Sequence, residues 1–368
     1  MTINFSIEVV ALGIIISQGF FAAILLLLNR TNTKANLFLG LLVLCFSLWL
    51  CDSFFGLSEI YRQDPNYYFL PIYYSLAFGP LVYFFTKALV EKEFRFTTIN
   101  YWHFLPVLLQ TLLYVFLRLG TYKDRRWFWM EIHEPYTYDL EFNLTLISLV
   151  IYLALSVRLV RNYQHWIKNE YSEISQINLR WLYQLFIGMI VLSVLWLGEA
   201  FLRTFYDYFP DTLIIAIPMG VLVLFMAIGG IQQKTIIGVT NLDIPKKAKE
   251  TQDFDQRLLD RITKKMTDER FYLDAELTLQ RFAEGIGENK RAVSESINFG
   301  LGIPFIDFVN QQRIAAFKQL LTQENAAKFS LLGLAFESGF NSKSTFNRVF
   351  KSMEGISPSE YRKRVVTS

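Results

Sequence analysis

The chain has 368 residues, enough for two or three domains, and its formal net charge is only +3. Apolar residues make up 52% of the sequence and charged residues 19%, and the mean hydropathy is +0.28. These values exclude an ordinary soluble globular protein and indicate membrane-spanning segments. The small net charge says little about nucleic acid, so the position of each charge along the chain decides that question.

Seven apolar runs are long enough to cross a bilayer, which takes about 20 helical residues. They are Phe5–Leu28, Ala35–Leu57, Tyr68–Val90, Tyr101–Leu119, Phe142–Val160, Leu182–Leu202 and Thr212–Ile231. The first run contains Glu8 and follows no basic segment, so we expect a retained span and not a cleaved signal peptide. The pattern predicts a seven-helix transmembrane bundle over residues 1–231.

Two acidic residues lie inside these runs: Asp52 in the second and Glu199 in the sixth. An ionisable group within a membrane segment indicates a functional site by default, and these two could be the polar contacts of a ligand pocket between helices. Alternatively, both carboxylates reach the headgroup region and have no specific role, because a charge near the interface costs less than one at the centre. The sequence leaves both interpretations open.

A polar segment at residues 232–252 separates the membrane part from the rest of the chain. It contains Pro245 and the cluster Lys246, Lys247 and Lys249, and these three lysines either contact anionic headgroups or are simply solvated. An amphipathic helix is predicted over residues 254–270, with Leu258, Leu259, Ile262 and Met266 at helical spacing. This helix either packs on the following domain or forms a homodimer contact.

Residues 328–364 have the pattern of a helix-turn-helix. An apolar helical face is followed by Gly339, which ends the helix where a left-handed residue is needed. Asn341 or Ser342 can cap the next helix. The inward positions of that helix are Phe346, Val349 and Phe350, and its polar positions include Lys343, Asn347, Arg348 and Lys351. Small and basic groups on a second helix suit the DNA major groove.

A weaker copy of the pattern precedes it. Gly287 interrupts a short helix, and Asn289 can cap a second helix that carries Val293 and Ile297 inward. Gly302 ends this helix, and a long apolar helix is predicted over residues 303–321. We therefore expect a first helix-turn-helix at about 278–300, a linker helix at 303–321 and a second helix-turn-helix at about 330–354.

The stretch from Ala335 to Arg362 closely resembles the second helix-turn-helix of AraC/XylS-type bacterial transcription regulators. The matching residues are Ala335, Gly339-Phe340, Phe346, Arg348, Phe350-Lys351, Gly355 and Ser357-Pro358-Ser359-Glu360-Tyr361-Arg362. The first motif and the Arg313-Ile314-Ala315 core of the linker helix extend the resemblance. Less strongly, Gly79-Pro80-Leu81-Val82-Tyr83 and His103-Phe104-Leu105-Pro106 resemble the seven-span membrane halves that are fused to such domains in some bacteria.

The resemblance implies which residues face DNA. In the first recognition helix they are Lys290, Arg291, Ser294 and Glu295; in the second they are Lys343, Ser344, Asn347 and Arg348, with Lys351 on phosphate. From Glu276 to Asp307 there are three basic and five acidic residues, whereas from Lys328 onward there are seven basic and three acidic residues. We therefore expect the second helix to supply most of the affinity.

A DNA-binding C-terminus must be cytoplasmic, and seven spans then place the N-terminus outside. The inner segments would carry nine basic residues: Arg30, Lys34, Lys87, Lys92, Arg95, Arg158, Arg161, Lys168 and Arg180. The outer segments would carry six: Arg62, Arg118, Lys123, Arg125, Arg126 and Arg203. The excess on the inside agrees with the positive-inside rule, although the predicted outer loop 118–141 carries four of the six.

The sequence thus predicts an all-α protein with three segments: a membrane domain at 1–231, a juxtamembrane linker at 232–252 and an AraC-type DNA-binding domain at 253–368. The fusion of a membrane domain to a DNA-binding domain motivates the hypothesis that the membrane domain is a sensor. Expected partners are double-stranded DNA, the lipid bilayer, a signal ligand and a second copy of the chain. No cofactor, metal or enzymatic activity is expected, because no metal-ligand spacing, nucleophile constellation or phosphate loop occurs. A transporter or membrane enzyme with an attached regulatory domain is the alternative.

Overall fold

The computed structural model describes residues 6–30, 33–64, 67, 69–91, 94–171, 179–208, 213–233, 255–323 and 328–366. These residues are mostly helical and include no β-strand, although an isolated antiparallel bridge joins Tyr171 and Thr278. The chain divides into two compact units. The first contains Met1–Arg161 and Leu179–Asn241, and the second contains Asn162–Asn178 and Leu242–Ser368. The predicted all-α fold class is confirmed.

The helices of the first unit are, in chain order, α1 (Ile7–Leu28), α2 (Thr33–Leu57), α3 (Ile60–Gln63), α4 (Phe78–Val90), α5 (Leu105–Leu119), α6 (Tyr122–Phe128), α7 (Tyr138–Glu170), α8 (Arg180–Tyr206) and α9 (Leu213–Gln232). The last residues of α7 belong to the second unit. Single 3-10 segments at Ser75–Ala77 and Thr98–Phe104 lead into α4 and α5, and a π-helical segment at Trp129–Thr137 leads into α7.

Six helical segments of the described chain are long and apolar enough to cross a membrane: Ile7–Leu28, Thr33–Leu57, Thr98–Leu119, Tyr122–Glu170, Arg180–Tyr206 and Leu213–Gln232. The third predicted span differs, because its helix is only Ser75–Val90 with the 3-10 turn included. At 1.5 Å per residue this segment covers about 24 Å, less than a hydrocarbon core of about 30 Å. Pro71 lies outside the helix, and Pro80 is accommodated in its first turn, where backbone N–H groups have no helical acceptor.

The segment predicted as an outer loop, 118–141, is helical over most of its length. Helix α6 and the π-helical segment occupy most of it, and α7 begins at Tyr138. One of its four basic side chains, Arg125, is buried and donates from Nη1 to the carbonyl oxygen of Gly120 at 2.8 Å. Arg125, one of the basic residues that count against the predicted orientation, therefore stabilises the backbone just before α6.

Helices α1, α2 and α9 pack closely in the first unit. A Cβ atom on Gly19 would lie 2.1 Å from Ser47 Oγ, and one on Gly230 would lie 2.4 Å from a methyl carbon of Leu39. Small residues of this kind allow membrane helices to approach each other, since lipid offers apolar side chains no hydrophobic driving force for association.

The second unit contains α10 (Gln256–Asp268), α11 (Leu279–Gly285), α12 (Lys290–Gly300), α13 (Phe305–Leu321), α14 (Leu331–Glu337), α15 (Lys343–Glu354) and α16 (Pro358–Val366). The linker helix α13 starts two residues later than predicted, because Pro304 is its N-terminal cap residue. Leu258, Ile262 and Met266 of α10 are buried in the core of the first helix-turn-helix. Packing on the domain, and not a dimer contact, therefore accounts for this amphipathic stripe.

Most of the predicted linker 232–252, including its lysines, lies outside the described residues. The second unit has two small cores, one for each helix-turn-helix, and α13 contributes to both. Phe305, Phe308 and Val309 belong to the first core, and Ile314, Phe317 and Leu321 to the second. A single helix thus fixes the spacing between the two motifs.

Candidate nucleic-acid interface and ligand cavity

The second helix-turn-helix is formed by α14 and α15. Ser330 caps α14 by accepting from Gly333 N, and Ser342 caps α15 by accepting from Thr345 N at 3.2 Å. Of the two cap candidates in the sequence, Ser342 is therefore the one used. Gly339 has φ +95°, so the left-handed residue predicted between the helices is present.

All five residues predicted to face DNA from α15 are exposed and belong to one helix: Lys343, Ser344, Asn347, Arg348 and Lys351. The opposite face, with Phe346, Val349 and Phe350, is buried in the second core. No acidic side chain among the described residues forms a salt bridge with Arg348, so its guanidinium is available for a ligand.

The first recognition helix, α12, presents a different surface. Asn289 caps it as predicted, by accepting from Arg291 N at 2.8 Å. Arg291 donates from Nε to Glu295 at 2.8 Å, and this carboxylate raises the pKa of the arginine. Two of the four residues predicted to face DNA are thus paired with each other. A third, Ser294, accepts from the Asn298 amide at 3.3 Å.

The fourth residue, Lys290, is also paired. Its Nζ lies 2.7 Å from Glu170, the last residue of α7, and Glu170 is well shielded from solvent. Beside it, Tyr171 forms the isolated bridge to Thr278, the cap residue of α11. Sequence reasoning missed this partner, because Glu170 is far from Lys290 along the chain and carries no motif.

Further acid–base pairs surround the first motif. Arg261 of α10 pairs with Glu288, and Arg281 of α11 pairs with Asp274 at 3.0 Å. The excess of acidic residues in the first motif therefore forms ion pairs with the basic side chains around it. On the second motif, Lys318 of α13 pairs at 3.1 Å with Glu354, the last residue of α15.

Arg313 connects the two motifs from inside. It is fully buried and donates from Nε to the Tyr272 carbonyl oxygen and from Nη2 to the Asp274 carbonyl oxygen, both at 2.8 Å. Its guanidinium carbon also lies 5.8 Å from the centre of the Phe340 ring. A buried guanidinium needs such acceptors, because an unpaired buried charge is costly. The resemblance gave Arg313 as part of the linker core, and the structure adds its acceptors.

Gly339 touches the same carbonyl group. A Cβ atom on this residue would lie 2.2 Å from Tyr272 O, so the turn of the second motif leaves no room for a side chain. The segment Phe271–Leu273 is consequently in contact with the linker helix and with the second turn. This contact, together with Arg313, holds the two recognition helices on one rigid frame.

The acidic residues predicted for a ligand pocket lie in the first unit and line one cavity. Asp52 of α2 and Glu199 of α8 both contribute to a cavity of about 820 Å³. Asp52 accepts hydrogen bonds from the hydroxyls of Tyr61 and Tyr73, the second at 3.0 Å. The sequence missed a third carboxylate on the cavity wall, Glu141, because it lay in the predicted loop. Among the described residues, no His, Cys, Asp and Glu cluster could hold a metal ion.

Comparison with known proteins supports the interpretation of the second unit. Residues 282–364 match the profile of a helix-turn-helix domain family of the AraC type. The matched region begins in α11 and ends in α16, so it includes both recognition helices and the linker helix. No curated protein and no solved structure matches the chain.

The chain therefore combines a C-terminal DNA-binding helix-turn-helix domain of the AraC type, as found in transcription regulators, with an N-terminal part made of apolar membrane-type helices.

Proposed function

We propose that the protein is a membrane-anchored one-component transcription regulator. Its membrane part at 1–231 senses a signal, the segment 232–252 is a juxtamembrane linker, and the domain at 253–368 binds a specific DNA sequence without enzymatic activity. The observation that carries the proposal is the exposed basic face of α15 in an AraC-type domain, with Arg348 unpaired among the described residues.

The two motifs support a bipartite binding site. Two recognition helices on one frame can enter major-groove faces about one helical turn apart, roughly 34 Å. We propose that Lys343, Ser344, Asn347 and Arg348 contact bases and that Lys351 contacts phosphate. On α12, Lys290, Arg291, Ser294 and Glu295 are the proposed base contacts, and their ion pairs must open before they can bind DNA.

The direct test is footprinting with the full chain in lipid nanodiscs. Genomic fragments upstream of genes whose transcripts change in a deletion strain would serve as DNA. We expect protection of two adjacent groove faces on one side of the duplex, at moderate salt. An Arg348→Ala protein should lose this protection, whereas Arg257→Ala, an exposed arginine of α10 outside the matched domain, should retain it. A full chain that protects none of these fragments would contradict the proposal.

We further propose a bacterial cytoplasmic membrane location, seven crossings, an external N-terminus and a cytoplasmic DNA-binding domain. This topology requires the short helix α4 to cross, which local thinning of the bilayer or snorkelling flanks permit at modest cost. An epitope placed before Ile7 should be reached by antibody in intact spheroplasts. If only permeabilised cells are labelled, α4 does not cross and six spans remain.

A signal at the membrane part would act by shifting the population of DNA-competent states, and tethered pairs of chains would raise the local concentration for paired sites.

A transporter with an attached regulatory domain is the second candidate, favoured by the cavity of about 820 Å³ between the apolar helices. Uptake of a ligand by proteoliposomes containing the protein would support transport. Binding without flux would support sensing.

A further inference from the structure

The cavity of the first unit has a composition that selects the charge of its ligand. Three carboxylates line it, Asp52, Glu141 and Glu199, and they come from α2, α7 and α8. No lysine or arginine lies on its described wall, and His133 is the one imidazole there. An anionic ligand would meet like charge with no compensating base, so the wall excludes it on electrostatic grounds.

The remaining wall is rich in aromatic rings, including Trp49, Trp129, Trp196 and Phe142. Indole faces attract cations through the ring quadrupole, most strongly where water is excluded. The volume of about 820 Å³ is within the range of small-molecule sites and exceeds what a hydrated inorganic ion needs. The described His, Cys, Asp and Glu residues form no metal-binding cluster, so the three carboxylates do not converge as a metal site does.

The hydrogen bonds of the three carboxylates are unequal. Asp52 accepts from two tyrosine hydroxyls, and Glu141 accepts from Gln110 Nε2 at 3.0 Å and Tyr114 at 3.1 Å. Glu199 has no hydrogen-bond donor among the described residues. Glu199 interacts electrostatically with Arg203. The Arg203 guanidinium is already bonded to Asp139 at 2.9 Å and lies 4.4 Å from the Tyr138 ring centre.

A further hydrogen-bond acceptor lies on Gln110, which is bonded to the wall residue Glu141. Gln110 is buried, and its Oε1 has no donor among the described residues although its Nε2 is bonded to Glu141. A buried acceptor without a donor is uncommon in proteins. The cavity wall therefore has no positive charge among its described residues, one carboxylate, Glu199, without a donor, and ample aromatic surface.

We infer that this cavity binds an organic ammonium ion with an aromatic or alkyl body. The ammonium group donates to Glu199 and lies among the indole rings, while the apolar body fills the space between α2, α7 and α8. This inference names the chemical class of the signal and rests on the proposed sensing function for its consequence at DNA. The binding itself does not depend on that function.

The test uses the full chain in nanodiscs and three probes that differ mainly in charge: 2-phenylethylamine, 2-phenylethanol and phenylacetate. Tryptophan fluorescence reports binding, because three tryptophans line the cavity, and empty nanodiscs correct for partition into lipid. We expect saturable binding of the amine at millimolar or lower concentration and no saturable binding of the alcohol or the acid. Equal binding of all three probes, or none of the amine, would overturn the inference.

Glu199→Gln removes the charge and keeps the shape of the side chain. We expect amine affinity to fall about tenfold or more, whereas Glu134→Gln, the same change at an exposed position that does not line the cavity, should leave affinity unchanged. Asp52→Asn provides a second variant if Glu199→Gln fails to fold. Unchanged affinity in a folded Glu199→Gln or Asp52→Asn protein would count against the site.

The same preparations are footprinted on DNA with and without the amine. Amine binding without DNA protection would leave the cavity assignment standing and remove the proposed regulator function. DNA protection without amine binding would do the reverse. The two proposals can therefore fail separately.

Discussion

The two helix-turn-helix motifs of the second unit share a backbone plan and differ in how their charges are used. Each has a left-handed glycine before the recognition helix, Gly287 or Gly339, and a polar cap residue at its start, Asn289 or Ser342. On α12 the basic side chains are paired with Glu295 and Glu170, whereas no salt bridge among the described residues involves Lys343, Arg348 or Lys351 of α15. Two motifs with the same local fold can therefore differ in how strongly they attract DNA, because ion pairs with neighbouring acidic residues reduce the number of basic side chains available to phosphate and bases.

The largest expected effect concerns the frame that joins the motifs. Gly339→Ala places a methyl group against Tyr272 O in addition to a strained φ, so we expect a loss of about 2–5 kcal/mol in the free energy of unfolding and loss of DNA binding. Gly287→Ala is the matched control, since its φ is +70° and no atom lies within 4 Å of the added carbon. Chemical denaturation of both variants should show a smaller loss, about 1–2 kcal/mol, for Gly287→Ala. Equal losses would mean that the Tyr272 contact has no energetic role.

The second effect compares the two arginines directly. Arg348→Ala should weaken DNA binding about 10- to 100-fold, because a good bidentate base contact is worth about 1–3 kcal/mol. Arg291→Ala should weaken DNA binding less than about threefold. Arg291 must break its ion pair with Glu295 before it can bind DNA, and the loss of that ion pair offsets most of the free energy gained from the DNA contact. Fluorescence anisotropy at one fixed salt concentration measures both. A larger loss for Arg291→Ala would reverse the proposed ranking of the two helices.

A third and smaller effect tests whether the first motif is limited by its ion pairs. Glu170→Gln leaves Lys290 without its carboxylate, so affinity for DNA should rise about two- to fivefold at low salt, the equivalent of an exposed ion pair. The dependence of log affinity on log salt should steepen by about 0.9 for the added phosphate contact. Glu276→Gln, an exposed acid with no basic partner among the described residues, controls for the change in net charge. An equal rise in the control would assign the effect to net charge and not to Lys290.

The smallest effect concerns the one acid–base pair of the second motif. Glu354 holds the pKa of Lys318 above its ordinary value of 10.5, chiefly through the hydrogen bond between them. Because the folded-state pKa is raised, this stabilisation is fully present below pH 10.5 and is lost as the pH rises through the folded-state value. Lys318→Met should reduce stability by less than about 1 kcal/mol, since the lysine side chain is 38% exposed. The difference between Lys318→Met and the unmodified protein should shrink when unfolding is measured above that pH. A constant difference would mean that the pair contributes through packing alone.

Much of this architecture could be predicted from local pattern. The apolar runs indicated helices, and six of the seven have a clear counterpart in a long apolar helical segment that starts within a few residues of the prediction or contains it. Glycine and cap residues located both helix-turn-helix motifs, because left-handed φ and N-terminal capping depend on one or two neighbouring residues. The helix of the third run is shorter than predicted, since periodicity does not reveal that the residues after Pro71 remain non-helical up to Ser75.

The sequence by itself determined the all-α class, the position of both recognition helices and the unequal charge of the two motifs. These properties depend on residues within one or two helical turns of each other. Only the tertiary structure decided that Asp52, Glu141 and Glu199 line one cavity, that Glu170 pairs with Lys290 and that Gly339 packs on Tyr272. Each of these contacts joins distant segments, and the packing of helices against one another, which no local pattern encodes, brings them together.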